Sequence, residues 1–179
     1  MDVTFIATAF IVFGSSAGQS AQVAGERGLA FAANYHVSPG TVLEAIDAYR
    51  AAFRPSDRLA TPHVIVSADV VVADDDATAR HLAAPYGLWV RSIRTGQGAT
   101  PFPSPGEAAD HDWTAEDREL VADRVATQFV GSPATVVEQL RTLQRVTGAD
   151  ELVVTTITHD HADRVRSAGL LAEAWGTRC

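Results

Sequence analysis

The first residues whose types and spacing could do chemistry lie in a segment rich in glycine and serine, Gly14 to Ser20. This segment follows an apolar run, Phe10–Phe13, that is typical of a buried strand, and it precedes a stretch typical of a helix. The first backbone N–H groups of a helix have no partner within the helix and carry a partial positive charge, so such a turn can bind a phosphate without a cationic side chain. The same residues are equally typical of a strand–helix turn that uses small side chains for tight packing, and both interpretations stay open.

A second polar group, His159, Asp160 and His161, follows the last apolar run. Two histidines and a carboxylate are ligand types for a metal, but such a site needs a further ligand of suitable geometry, and nothing in the sequence points to one. Asp is a preferred N-cap residue, so we interpret Asp160 as the cap of the final helix and predict no metal site.

Three other groups give weaker indications. His36 is a candidate general base, because histidine exchanges protons readily near neutral pH, but no carboxylate partner can be assigned to it. The acidic run Asp74–Asp76 is interpreted as the solvated start of a helix. Ser15 and Ser16 lack the Gly-x-Ser-x-Gly pattern of a hydrolase nucleophile, so we predict no Ser-His-Asp triad and assign no catalytic residue.

The composition excludes several classes of chemistry. The chain has 179 residues with 14 cationic and 22 acidic side chains, and its net charge of −8 argues against binding to nucleic acid or to an anionic membrane. All the cations are arginine, so Schiff-base chemistry and a Walker-type phosphate loop, which need lysine, are excluded. The single cysteine, Cys179, excludes an internal disulfide and a cysteine-based zinc or iron–sulfur site.

The apolar run Val3–Phe13 has one feature of a secretory signal, because small residues follow it. Asp2 precedes it and no cation does, whereas secretory signals carry positive charge at that place. The run is also too short to span a bilayer. We therefore predict a buried strand in a cytoplasmic protein.

Strand-like and helix-like segments alternate along the chain. Continuous apolar runs predict strands at Phe10–Phe13, Leu29–Ala33, His63–Ala73 and Glu151–Ile157. Apolar residues at helical spacing predict helices that begin near Gln19, Ser38, Asp76, Thr114, Ser132 and Asp160. Continuous apolar strands that alternate with helices are typical of a parallel sheet covered by helices, so we predict an α/β fold of about four such units.

The segment Ser92–Asp112 shows no periodicity and is rich in glycine, proline and serine. Long stretches of this composition are typical of functional or mobile loops. We therefore predict a mobile loop at residues 92–112 within a single domain formed by residues 1–179.

A series of short motifs runs through the chain in a fixed order. The motifs are Gly14–Ser16, Ser20–Ala21, Arg27–Ala32, Tyr49–Arg50, Phe53–Ser56, Val70–Asp74, Phe129–Pro133, Gly148–Leu152 and Ser167–Glu173. Each motif is weak alone, but the ordered set, which spans Phe10 to Glu173, resembles bacterial luciferase-like flavin-dependent monooxygenases.

This resemblance implies a TIM-like barrel of eight parallel strands with outer helices, a fold that needs about 250 residues. The chain matches only the C-terminal half of that barrel, strands five to eight. We therefore expect either a truncated enzyme or a half-barrel. In the family, much of the pocket for the flavin ring and the substrate belongs to the other half.

The resemblance also implies FMN, in its reduced form, as the cofactor or co-substrate of an oxidoreductase, with its phosphate at the glycine- and serine-rich turn. Ser16 and Ala17 would offer backbone N–H groups and Ser20 a hydroxyl, while Gly14 and Ser15 complete the turn. Tyr35 matches a position at which relatives place an aromatic residue beside the flavin, flanked here by Asn34 and His36. An ordinary half-exposed loop tyrosine is an equally good interpretation of Tyr35.

The implied reaction is the oxidation of a small-molecule substrate by oxygen and reduced flavin, with neither nucleic acid nor a membrane as partner. Two alternatives stay open: a non-catalytic half-barrel that binds flavin or a phosphate ligand, and a lyase or isomerase whose substrate carries the phosphate. A half-barrel would leave two strand edges unpaired, so we expect a homodimer or a partner that supplies the missing half.

Overall fold

The structure is a computed structural model that describes residues 10–96, 98 and 100–176. Strands are followed by single helices through these residues, except after β3, where four helices precede the next strand. The strands are β1 (Ile11–Gly14), β2 (Ala30–Ala33), β3 (Val64–Val72), β4 (Phe129–Gly131) and β5 (Glu151–Thr155). The helices are α1 (Gln19–Glu26), α2 (Val42–Ala52), α3 (Asp76–Ala83), α4 (Pro85–Arg94), α5 (Pro105–Asp110), α6 (Ala115–Val125), α7 (Pro133–Thr147) and α8 (His161–Gly176). A 3₁₀ turn, Pro39–Thr41, leads into α2.

The strands form a sheet in which the pairs β1–β2, β2–β3 and β3–β4 are all parallel. Strand β5 also pairs with β3. All nine residues of β3 are buried, which explains why its sequence is almost continuously apolar. The predicted α/β class with a parallel sheet is confirmed.

The chain divides into two compact units. The first unit comprises the residues up to Val66 together with Thr147–Glu151, and the second comprises Ser67–Val146 and the residues from Leu152 onwards. This division does not test whether the chain is a single domain, which stays a prediction.

Aromatic packing forms the core of the first unit. The rings of Phe31 in β2 and Tyr49 in α2 stack with their centroids 5.3 Å apart, and neither side chain is exposed. The Tyr49 hydroxyl donates to the carbonyl of Leu29 at 2.9 Å and accepts from the backbone N–H of His63 at 3.0 Å. Burial raises the pKa of Tyr49, so this hydroxyl keeps its proton and both hydrogen bonds. Tyr49 therefore links α2 to the residues that directly precede β2 and β3.

The second unit has a core in which α4 and α6 meet. Tyr86 and Val90 of α4 and Val121 of α6 are buried together, and Trp89 and Phe102 pack against them. The apolar faces of these helices account for their stability, because neither helix is long enough to be stable alone.

Three elements differ from the sequence predictions. Helix α4 was not predicted from the sequence; Pro85 begins it, since proline is tolerated in the first turn, where its missing N–H has no partner to lose. The segment at residues 92–112 is not a loop throughout, because its first residues belong to α4 and Pro105–Asp110 form α5. Ser104 and Glu107 form a capping box that stabilises α5. Strand β4 was also not predicted. The mobility of the segment stays a prediction.

Candidate functional site

The turn between β1 and α1 brings glycine into close contact with its neighbours. Gly14 is buried, Ser15 is half-buried, and the residues from Ser16 to Ser20 are exposed. A Cβ atom at Gly14 would lie 2.8 Å from the ring of Phe31, a distance that no side chain tolerates without a shift of its neighbours. Gly14 therefore allows β1, β2 and the start of α1 to approach one another closely.

Ser15 links this turn to the segment that follows β2. The Asn34 side chain donates from Nδ2 to Ser15 Oγ at 3.4 Å, and the Thr41 hydroxyl donates to the Ser15 carbonyl. The backbone N–H of Asn34 donates to the Gly14 carbonyl at 3.0 Å. Because the carboxyl ends of neighbouring parallel strands are joined in this way, the turn has a fixed backbone. Thr41 was not predicted as part of this site.

No side chain caps the N-terminus of α1. Its N-cap residue is Gly18, and its first turn contains no acidic residue. Helices α3, α5 and α6, in contrast, are capped by the side chains of Asp75, Ser104 and Thr114. The first N–H groups of α1 are therefore open to an anion from outside the chain.

Tyr35 lies in the same segment as Asn34, directly after β2. It is half-buried, and its backbone N–H donates to the Ala33 carbonyl at 3.0 Å. His36, the next residue, is also half-buried. Gly14, Ser15, Ser20 and the Asn34 segment therefore come together, with Tyr35 adjacent to them in the chain.

The acidic run after β3 begins a helix, as predicted. Asp75 caps α3 by accepting from the N–H groups of Ala77 and Thr78 at 2.9 and 2.8 Å. These backbone hydrogen bonds, above all the one from Thr78, lower the pKa of Asp75. Asp74 pairs with Arg166 at 2.6 Å.

Asp76, in the same run, serves a second helix. Its Oδ1 accepts from the Ser132 N–H at 2.6 Å and from the Thr135 hydroxyl at 3.0 Å, at the start of α7. The hydrogen bond from Ser132 is the largest cause of the lowered pKa of Asp76. This carboxylate is thus engaged by the protein itself, which a sequence pattern of three acids does not reveal.

The histidines near α8 lie apart from any cluster of ligands. Asp160 directly precedes α8, and its carbonyl accepts from the Arg164 N–H at 3.3 Å. His159 Nδ1 lies 3.1 Å from the Phe102 carbonyl. In the part of the chain that the structure describes, no group of three His, Cys, Asp or Glu residues is placed to hold a metal.

A buried polar network in the second unit was not predicted from the sequence. Asp69 in β3 is 3% exposed; its Oδ2 accepts from the Tyr86 hydroxyl at 3.1 Å and its Oδ1 accepts from the Thr155 hydroxyl. Arg124 Nη2 donates to the Tyr86 oxygen at 2.9 Å. Burial raises the pKa of Tyr86, which keeps its proton available to Asp69. The sequence carries one sign of this network. Asp69 is a single carboxylate within an apolar strand, and a buried charge requires partners.

Comparison with known families shows to which family the chain belongs. The model of the luciferase-like monooxygenases matches residues 7–151 of this sequence. The chain belongs to the luciferase-like monooxygenase family. Curated relatives include the protein YvbT of Bacillus subtilis (strain 168), which is 36% identical over 165 residues, 91% of this chain and 48% of that protein. A luciferase-like monooxygenase of Escherichia coli (strain K12) is 31% identical over 148 residues, 83% of this chain and 44% of that protein.

Solved structures of the family share the fold. The structure of apo-MsnO8 is 35% identical with a TM-score of 0.82, over 93% of this chain and 50% of that one. The oxygenating constituent of a type II Baeyer–Villiger monooxygenase of Pseudomonas putida, solved in complex with FMN, is 25% identical with a TM-score of 0.58, over 95% of this chain and 48% of that one. The predicted fold, about half of a TIM-like parallel barrel, is confirmed. The chain spans about half the length of the relatives it matches.

No helix formed by residues 10–96, 98 and 100–176 is long and apolar enough to cross a membrane.

Proposed function

We propose that this chain provides the FMN-binding part of a luciferase-like monooxygenase, and that the turn between β1 and α1 binds the FMN phosphate. The observation that carries the proposal is the start of α1, an uncapped helix N-terminus on a fixed turn in a member of this family. Oxygen and a small organic molecule are the proposed co-substrates.

The residues of the turn suit a phosphate. The first turn of α1 contains no acidic residue, so its partial positive charge is not neutralised by the chain. Ser16 and Ser20 are exposed hydroxyl donors on either side of Gly18. A Cβ atom at Gly18 would lie 3.3 Å from Ser16 Oγ, so a larger residue there would crowd the place where the phosphate is proposed to bind.

The roles of the chain are binding and orientation. Reduced FMN, when bound, would supply the chemistry with oxygen. The protein would hold the flavin and limit the access of water. Ser16, Ala17 and Ser20 bind the phosphate in this proposal, while the hydrogen bonds of Ser15 with Asn34 and Thr41 keep the turn in place. Tyr35, after β2, is proposed to lie beside the flavin ring.

The Ser20→Ala variant tests the phosphate assignment. We expect FMN binding to weaken by about 1 kcal/mol, the net contribution of one hydrogen bond, or by up to about 3 kcal/mol for a bond to a charged group. Riboflavin, which lacks the phosphate, should bind both proteins equally. Fluorescence titration of both ligands measures the difference.

The matched control is Gln22→Ala, an exposed position of α1 beyond its first N–H groups, which should leave both affinities unchanged. Equal losses for FMN and riboflavin in Ser20→Ala would contradict the phosphate assignment.

Oxygen uptake with reduced FMN separates catalysis from binding alone. Uptake that depends on the chain supports the monooxygenase proposal. FMN binding without uptake supports a non-catalytic flavin-binding module, and failure to distinguish FMN from other phosphate ligands supports the lyase or isomerase alternative.

A further inference from the structure

A large groove lies within the second unit, among α3, α4, α5, α6 and β4. Its volume is about 820 Å³, within the range of about 300–1,000 Å³ typical of sites for small organic molecules. The helices turn small residues toward it, which leaves space between their backbones. These residues include Ala84, Gly87, Ala109, Ala122 and Ala126.

Trp113 provides an aromatic wall of this groove. Its indole Nε1 donates to the Ala108 carbonyl at 3.4 Å, which anchors the ring and satisfies its only polar atom. A Cβ atom at Gly87 would lie 3.2 Å from the Trp113 ring, so α4 approaches the indole closely. The wall is therefore apolar and fixed.

Two guanidinium groups and one imidazole line the same groove. Arg80, His81 and Arg118 all contribute to it, whereas none of the residues found to line it is acidic. This is unusual for a chain whose net charge is −8. A lining with this charge attracts anions and repels cations.

Arg118 is held beside the aromatic wall. Its Nη1 donates to the Trp113 carbonyl at 2.9 Å and to the Thr114 carbonyl at 3.4 Å. These bonds fix one guanidinium nitrogen, and they leave Nε and Nη2 as donors on the same planar group. Arg80 is exposed on α3, so a second guanidinium is available to the groove.

We propose that this groove is a second ligand site, distinct from the turn between β1 and α1, and that it binds a small aromatic anion. The carboxylate or sulfonate would accept hydrogen bonds from Arg118 and Arg80, a geometry to which the guanidinium fork is suited. The aromatic body would occupy the alanine-lined space beside Trp113, and its burial supplies the apolar part of the affinity. The amides of Gln128 and Gln139, which also line the groove, provide further polar contacts.

Naphthalene-1-sulfonate and its neutral counterpart naphthalene-1-methanol are the probes for isothermal titration calorimetry. We expect the unmodified chain to bind the sulfonate more tightly than the neutral alcohol. Arg118→Gln should weaken sulfonate binding about three- to tenfold, the range for a partly solvated charged hydrogen bond, and should leave the neutral probe unaffected. Ala122→Leu, which fills the groove from an exposed helix position, should weaken both probes.

Two further variants keep the test decisive. Arg54→Gln removes the same charge from an exposed position of the first unit and should change neither affinity. Arg80→Gln gives a second measurement of the cationic lining should Arg118→Gln fail to fold. Absence of sulfonate binding, equal affinity for both probes, or equal loss in Arg54→Gln and the groove variants would overturn the proposal.

Discussion

Asp117, in the first turn of α6, has a charge that several neighbours stabilise. Arg91 Nε donates to its Oδ1, and the Thr114 N–H donates to its Oδ2 at 3.3 Å. The hydrogen bond from Arg91 is the largest cause that lowers the pKa of Asp117 from 3.8 to about 2. Because the folded state binds this proton less readily than the unfolded chain, ionised Asp117 stabilises the fold above pH 3.8, and that contribution is lost as the pH falls toward 2.

The Asp117→Asn variant should therefore be less stable than the unmodified chain at pH 6, and the difference should narrow as the pH falls to 3. Thermal melting followed by circular dichroism across this range measures the difference in Tm. Asp112→Asn, at an exposed neighbouring carboxylate, is the control and should show little difference at any pH. If the difference in Tm between Asp117→Asn and the unmodified chain stays constant from pH 6 to pH 3, the charge of Asp117 is not its cause.

Single residues were predictable from the sequence where their partners are local. A helix start near Thr114 was predicted because a threonine can cap the N–H three residues away, and the structure shows that Thr114 caps α6. The glycines and serines of the β1–α1 turn were recognised by their types. The bond between Asp69 and Thr155 joins residues 86 positions apart, and such a pairing depends on the tertiary fold.

Elements were predictable where one apolar pattern extends over many residues. Strand β3 and helix α7 were predicted correctly because burial makes β3 almost continuously apolar and places apolar residues on one face of α7 at every turn. Strand β4 has only three residues, which is too short for any periodicity. Helix α4 begins at a proline, and the same residue type also ends helices, so its local signal was ambiguous.

Residues 92–112, which the sequence predicts to be mobile, can be compared with residues 53–63, which join α2 to β3. In the first, Gly96 and Gly98 have φ angles of 81° and 79°, and a Cβ atom at either would meet nothing within 4 Å. In the second, the Ser56 hydroxyl donates to the Gly28 carbonyl at 2.9 Å and accepts from two backbone N–H groups, those of Arg58 and Leu59. The second segment is thus tied down by its own hydrogen bonds.

Limited proteolysis with subtilisin, without ligand, should cut within residues 92–112 first. Segments rich in glycine, proline and serine open at little free-energy cost and fit a protease readily. Mass spectrometry of the earliest fragments locates the cut, and residues 53–63 serve as the internal control. A first cut in residues 53–63 would mean that the predicted mobility at residues 92–112 is wrong.

Two strands present apolar side chains to solvent. Phe13 in β1 is 56% exposed and Val154 in β5 is 41% exposed, beside the similarly exposed Ile11 and Val153. Among the described residues, β1 pairs only with β2 and β5 only with β3. Strand edges and apolar side chains of this kind promote association with other chains. The relatives of this chain are about twice as long, so their folds have the residues to cover such strands.

We therefore expect this chain to associate, as a homodimer or with a partner that supplies the other half of the barrel. Light scattering during size exclusion should give about twice the chain mass of 19.0 kDa for the chain alone. Val154→Glu should weaken this association, because a carboxylate on β5 would be buried without a partner in the interface. Val146→Glu places the same charge on an exposed position of α7 and should leave the mass unchanged. A monodisperse 19.0 kDa species that melts cooperatively would mean that the exposed strands need no partner.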